Sequence, residues 1–243
     1  MCAEFMIRAS NQKITRALGI APGPDEFDWD VHARLYSEAP VIVQEKGETQ
    51  LRPMGFSLKP RDIPYPTFNA RLLSWDEKKK KIVPITEKPT WKGPLKQQRC
   101  LIPMSAFIEP VYKGDHAGEM VMFKDEGDEM LFCAGLYDES VNHKTGEVYE
   151  GFTLIIHTPS EFVLNTGHHR QPIFLAPDDA RTWLDWKEIK PEDTVDFLLD
   201  KRLLPDLKIE KSRSMAKGWE KRVSEFERKL EKEMQFMNKL EAR

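Results

Sequence analysis

The 243-residue sequence has only three cysteines, Cys2, Cys100 and Cys133, and no CxxC pair among them. An odd, widely spaced set argues against a disulfide framework and fits a reduced compartment. No HExxH helix or third ligand at suitable spacing supports zinc, so no metal or cofactor is expected. The chain contains no run of about 18 apolar residues. Met1-Cys2-Ala3-Glu4 begins no signal peptide, so the expected setting is cytoplasmic, with no membrane partner. A net charge of −3 argues against a uniformly basic nucleic-acid protein and leaves room for a local basic groove. Internal repeats are absent.

With 40% hydrophobic and 32% charged residues, the chain is long enough for one large domain with an appendage. Residues 21–25 read as a loop and 27–36 as a short helix. Clustered β-branched residues predict a strand at 40–44, and a second, with a glycine inside it, is expected at 51–58. Pro60, Pro64 and Pro66 make 59–66 an irregular loop. The lysines at 78–81 form either a solvated face or a contact for backbone phosphate. Residues 120–123, 130–136 and 151–156 predict three core strands separated by acidic or glycine-containing turns. A meander with few long helices indicates an α+β or mostly β domain rather than a doubly wound one. Short helices are expected at 159–164, 178–186 and around 194–199, with a strand at 173–175.

From about Ile209 onward proline is absent and Glu and Lys are dense. Trp219, Val223, Phe226, Leu230, Met234, Met237 and Leu240 recur at spacings of three and four, which predicts an amphipathic helix of about six turns. The sequence thus divides into a domain at 1–206 and a helical extension at 207–243. The helix at 212–241 either lies along the body of the same chain or meets another chain through self-association or partner contact.

Candidate chemistry begins at the N-terminus. A small residue at position 2 permits removal of Met1, which would leave Cys2 with a free α-amine and a thiol on adjacent carbons. Their ordinary pKa values, about 7.7–8.0 and about 8.5, give each a reactive fraction near neutral pH. The amine can condense with an aldehyde to a Schiff base, and the thiol can close on the same carbon as a five-membered thiazolidine. Glu109 sits between Ile108 and Pro110 in an apolar run. Either burial raises its pKa and makes it a proton donor, or it points outward from a strand. Asn69 and Arg71 flank Ala70 and face one way on an extended segment. They suit orienting a reactant and holding an anion, or an edge hydrogen bond and a surface ion pair. His168-His169-Arg170, before a strand, could supply an acid–base imidazole.

Taken in order, these segments resemble the SRAP family (SOS response-associated peptidase) over residues 2 to about 186. The resemblance is carried by Cys2 after the initiator Met, Phe68-Asn69-Ala70-Arg71, and Gln98-Arg99-Cys100-Leu101-Ile102-Pro103 continuing to Phe107-Ile108-Glu109. It continues through Ala134-Gly135-Leu136, Phe152-Thr153-Leu154-Ile155-Ile156 and His168-His169-Arg170-Gln171-Pro172. It implies a single α+β domain on a curved, barrel-like, mostly antiparallel β-structure with peripheral helices and a groove for single-stranded DNA. It also implies covalent capture of the open-chain aldehyde of an abasic site by the N-terminal cysteine, as a thiazolidine. By matching position, Cys2 is the nucleophile and Asn69 positions its amine and thiol. Arg71 holds a phosphate beside the lesion, and Glu109 handles the protons of ring opening and Schiff-base formation. His168 assists proton transfer at the sugar and any reversal or strand cleavage. Arg61 and Arg170 join Arg71 as groups able to neutralise backbone phosphate.

The chain departs from the family pattern at several points. Ala3-Glu4 stand where Gly-Arg is usual, Met54 and Leu58 where Trp and Pro are usual, and Leu72-Leu73-Ser74 follow Asn-Ala-Arg. Pro110 replaces an aromatic residue, and His169 an acidic or amide one. The leading expectation is an enzyme that captures abasic sites, with single-stranded DNA as its partner. The alternatives are an autoprocessing cysteine peptidase that releases Met1, and a non-catalytic DNA or protein interaction module.

Overall fold

Asp28-Trp29-Asp30-Val31-His32-Ala33 alternates polar and apolar side chains, a period of two that belongs to a strand. In the computed structural model, which describes residues 4–21, 27–58, 67–141 and 148–241, this segment is a strand and not the helix expected at 27–36. It pairs along its whole length with the first strand, and that partner decides its conformation. The loops expected at 21–25 and 59–66 lie outside the described residues, apart from Ala21.

The chain opens with β1 (Glu4–Ser10), α1 (Asn11–Leu18), β2 (Asp28–Ala33), β3 (Glu38–Glu45) and β4 (Glu48–Phe56). After β5 (Asn69–Arg71), a hairpin of β6 (Leu73–Asp76) and β7 (Lys81–Pro84) exposes the lysine run at its turn. The short helices α2 (Pro89–Lys92) and α3 (Pro94–Gln97) lead into β8 (Arg99–Met104) and β9 (Ala106–Val111). Three long strands follow, β10 (Glu119–Asp125), β11 (Leu131–Val141) and β12 (Val148–His157). The last part holds α4 (Glu161–Asn165), β13 (Gln171–Pro172), β14 (Phe174–Leu175), α5 (Pro177–Leu184) and α6 (Thr194–Asp200). It ends with β15 (Arg202–Leu203), β16 (Leu207–Ser214) and α7 (Val223–Glu241).

Five strands close into a barrel in the order β12-β4-β3-β8-β11 and back to β12. Every pairing in the ring is antiparallel except β12 with β4, which is parallel through Gly151↔Gly55 and Phe152↔Phe56. This is where the barrel closes, and Gly151 is required there. A Cβ on Gly151 would run into the Ser57 carbonyl, and one on Gly55 into the Tyr149 ring. The ring holds a core in which Phe56 stacks on Phe152 at 5.2 Å and meets Phe5 edge-on at 5.1 Å.

A second, five-stranded antiparallel sheet runs β16-β10-β9-β1-β2. Its link to the barrel is continuous chain. Ser105 alone separates β8 from β9, so residues 99–111 begin in the ring and end in the second sheet. The architecture is therefore α+β, a β-barrel flanked by a second sheet and peripheral helices. No helix among the described residues is long and apolar enough to cross a membrane.

The C-terminal segment differs from the expected continuous helix. Residues 207–214 form the edge strand β16 on β10, with register running from Glu119↔Ser214 to Asp125↔Leu207. β10 would otherwise present an open edge of unpaired N–H and C=O groups, and pairing outweighs the helical preference of Lys and Glu there. The helix proper starts at Val223.

Barrel closure makes a direct prediction. Gly151→Ala, forced against a backbone carbonyl, should lower stability by roughly 2 kcal/mol or more in urea denaturation. Gly93→Ala, where nothing lies within 4 Å of a new Cβ, should change it little. Equal midpoints for the two variants would show that the closure tolerates a side chain.

Candidate active site

Glu109 lies in the middle of β9, opposite Val121 of β10, and is 0% exposed. Its side chain faces inward, contrary to the outward-pointing alternative. His168 reaches it from the turn after α4, where Gly167 takes a left-handed backbone (φ 102°) against the end of β9. A side chain at Gly167 would crowd the Lys113 carbonyl and Val111, so glycine fixes this approach. His168 Nε2 is 3.3 Å from Glu109 Oε2, and its Nδ1 is 3.3 Å from the Pro110 carbonyl oxygen. Burial pushes His168 well below its ordinary pKa, which keeps it neutral. If Nδ1–H donates to the Pro110 carbonyl, Nε2 is left as an acceptor facing the carboxyl, able to exchange one proton with it.

A second cluster gathers at the end of β12. The parallel pairing of β5 with β12 sets Asn69, Ala70 and Arg71 opposite Leu154, Ile155 and Ile156. Ala70 is fully buried while Asn69 and Arg71 share the other face, as a period of two requires. On the opposite edge β13 pairs Pro172 with Ile156, which brings Arg170 to the same end of the strand. Between the two arginines lies a carboxylate that sequence reading assigned no role. Glu233 Oε2 sits 2.5 Å from Arg71 Nη2 and 3.1 Å from Arg170 Nη2, and its side chain is 2% exposed. Lys88 joins them by donating its Nζ hydrogen to the Arg71 carbonyl oxygen at 3.1 Å. Burial, then the nearby Arg170, lowers Arg71 to about 10. Burial with Arg71 and Arg170 lowers Lys88 to about 8.

Helix α7 spans both clusters. Phe226 stacks on Tyr112 at 4.9 Å and meets His169 edge-on at 5.5 Å, while the Phe236 ring lies 4.8 Å from the Arg71 guanidinium. The face that docks is therefore not quite the stripe read from hydropathy. Met234, expected on it, is 50% exposed, and Glu233 occupies the buried position. Only a cationic pair beneath the helix makes that inversion favourable.

Cys2 and Arg61 lie outside the described residues. The first described residue after Cys2 is Glu4, at the start of β1, which stands opposite Ile108 in the β1–β9 ladder. The Glu4 carboxylate accepts from Arg213 at 2.6 Å and contacts His32 Nε2 at 2.9 Å, with Arg34 at 3.7 Å. Partial burial opposes its ionisation, but these partners outweigh it and hold the carboxyl below the ordinary range. Cys100 and Cys133 are no rivals as nucleophiles, because both are buried and burial raises both thiols. Met54 and Leu58 are core residues, each 2% exposed.

The family model described as SOS response associated peptidase (SRAP) matches residues 1–211. The abasic site processing protein YoaM of Bacillus subtilis (strain 168) is 28% identical over 215 residues, covering 82% of this chain and 86% of YoaM. YobE of the same organism, with the same description, is 26% identical over 211 residues, 82% of this chain and 89% of YobE. YoqW of Bacillus phage SPbeta, again so described, is 25% identical over 204 residues, 79% and 84% of the two chains. A solved structure of a protein from Bacteroides thetaiotaomicron superposes with a TM-score of 0.65 at 19% identity, over 87% of this chain and 92% of that one. A phage-related protein from Bordetella bronchiseptica gives 0.65 at 16% identity, over 88% and 95%. At these identities the likeness speaks to the fold.

The buried histidines predict a pH dependence of stability. Burial, followed by Arg202, Arg71 and Arg170, pushes His157 down to about 3. His169 is likewise lowered to about 3, chiefly by burial. Between about 6.5 and 3 the unfolded chain holds protons that the folded chain does not, so stability must fall as pH falls. Denaturation between pH 7 and 5 should show a loss on the order of 1–2 kcal/mol per histidine by pH 5, and His157→Gln should flatten the slope. A slope unchanged in that variant would contradict the assignment.

Proposed function

The chain belongs to the SRAP family, and from that membership and the geometry above we propose that it captures the open-chain aldehyde of abasic sites in single-stranded DNA through Cys2, once Met1 is removed. The observation that carries this reading is the buried Glu109–His168 pair, whose carboxylate lies on β9, the strand beside the start of β1. Cys2 precedes Glu4 by two positions in the sequence, and Glu4 pairs with Ile108, the neighbour of Glu109. The names of the relatives, abasic site processing proteins, support the same chemistry.

A deoxyribose hemiacetal exposes its aldehyde only when the ring oxygen gains a proton and the anomeric hydroxyl loses one. Glu109, exchanging a proton with neutral His168, serves both transfers. The α-amine of Cys2 adds to the aldehyde carbon, and the carbinolamine loses water as Glu109 delivers a proton to the departing hydroxyl. The thiol sulfur then adds to the iminium carbon as its proton leaves, closing the thiazolidine with net loss of one water. Both nucleophiles belong to one residue, so the second attack is intramolecular and fast. Asn69 orients the reactive end, and Arg71 and Arg170, with Arg61, hold the flanking phosphates. Self-release of Met1 would draw on the same pair to protonate the departing amine, and strand cleavage to remove the C2′ proton as the C3′–O bond breaks and the phosphate departs as an anion.

Incubation of Met1-processed protein with a single-stranded oligonucleotide bearing one abasic site should give an adduct stable to denaturing electrophoresis. Cys2→Ala should abolish it, and Glu109→Gln should slow its formation about a hundredfold or more. Absence of any adduct after prolonged incubation at saturating oligonucleotide would contradict the proposal.

A further inference from the structure

The Arg71–Arg170 pair, which the proposed function assigns to the DNA backbone, is already occupied. Glu233 places one carboxylate against both guanidiniums, the same pairing that a backbone phosphate would make with them. Glu233 comes from α7, which lies beyond the residue 211 limit of the family match. The helix also covers the Glu109–His168 cluster, through Phe226 against Tyr112 and His169. With α7 docked, His168 is 1% exposed and Glu109 0%. A lesion-bearing strand therefore has no open path to the Glu109–His168 pair, and it meets the two guanidiniums only in part, their side chains being 22% and 16% exposed.

We infer that α7 is a self-blocking segment, with Glu233 standing in for a backbone phosphate, which must leave the groove before single-stranded DNA can enter. The inference rests on the reading of the groove as a strand site.

The energetics of docking suit a releasable segment. Its outer ion pairs, such as Lys113–Glu227 at 2.6 Å, are about half exposed, and pairs of that kind contribute little. The buried triad gains Coulomb attraction but bears the desolvation of all three charges, so its net contribution is small. The remaining hold comes from Phe226 and Phe236, 4% and 2% exposed. A competing anion at the same arginines recovers the electrostatic part, and the helix lifts as the strand binds. Along the docked helix runs a cleft of about 440 Å³, lined by Arg71, Trp75 and Lys80 on the body and Lys229, Lys232 and Lys239 on the helix. It would offer an incoming strand a basic rim beside the blocked seat.

The test uses the full chain and a short single-stranded oligonucleotide carrying a tetrahydrofuran abasic analogue, which binds without reacting. Affinity is read by fluorescence anisotropy, and hydrogen exchange of the α7 amides is followed with and without the oligonucleotide. Glu233→Gln should tighten binding about tenfold or more and speed α7 exchange in the free protein. Phe236→Ala, which loosens the helix without touching the anion, should do the same to a lesser degree. In the wild type, saturating oligonucleotide should accelerate α7 exchange. Unchanged or weaker binding by both variants, with α7 equally protected in the bound wild type, would show the helix to be a fixed wall and overturn the inference. A released, fast-exchanging α7 in Glu233→Gln with no oligonucleotide binding would instead overturn the strand-site reading, and the inference with it.

Discussion

The arrangement depends on strand β12 being shared along both edges. On one edge it pairs first with β11 and then with β13, and on the other first with β4 and then with β5. The barrel closes at β4 with Gly151 facing Gly55, and a Cβ on Gly151 would strike the Ser57 carbonyl. Beyond that point the same edge passes to β5, and the end of β12 acquires a short strand on each side. Arg71 and Arg170, 99 positions apart in the sequence, meet because each belongs to, or adjoins, one of those short strands. The charged cluster is thus a consequence of how the barrel closes.

The second constraint is electrostatic. Few charges in a core survive without partners, and this molecule buries several around one region. Glu109 is set against a neutral histidine, two arginines against one glutamate, and Lys88 against a backbone carbonyl. Burial shifts His168, Arg71 and Lys88 toward their neutral forms. Stability and the proposed chemistry therefore draw on the same residues, and α7 connects the Glu109–His168 pair to the Arg71–Arg170 pair through one continuous helix face.

Much of this was legible in local patterns. Period-two placement of Asn69 and Arg71 around Ala70 put both on one face, and the strands at 40–44, 120–123, 130–136 and 151–156 followed from apolar and β-branched runs. Glu109 stood out because a carboxylate inside an apolar strand is unusual. What escaped reading was set by distant partners. The alternation at 28–33 competes with a helical reading of 27–36 that pairing with β1 decides against, and 207–214 is a strand because β10 offers an edge. Glu233 looked like a solvent-facing helix residue, with Met234 on the apolar stripe, until the helix met an arginine 162 positions earlier in the chain. Lys88 carried no local signal for a place beside Arg71.

Mass spectrometry of the N-terminal peptide after reaction with abasic single-stranded DNA tests the central claim most directly. Digestion of protein and DNA should yield a peptide beginning at Cys2 that carries the sugar remnant with loss of one water, and with neither a free thiol nor a free α-amine. A remnant on a lysine of the 78–81 run, or an unmodified Cys2 peptide in a cross-linked sample, would contradict the account.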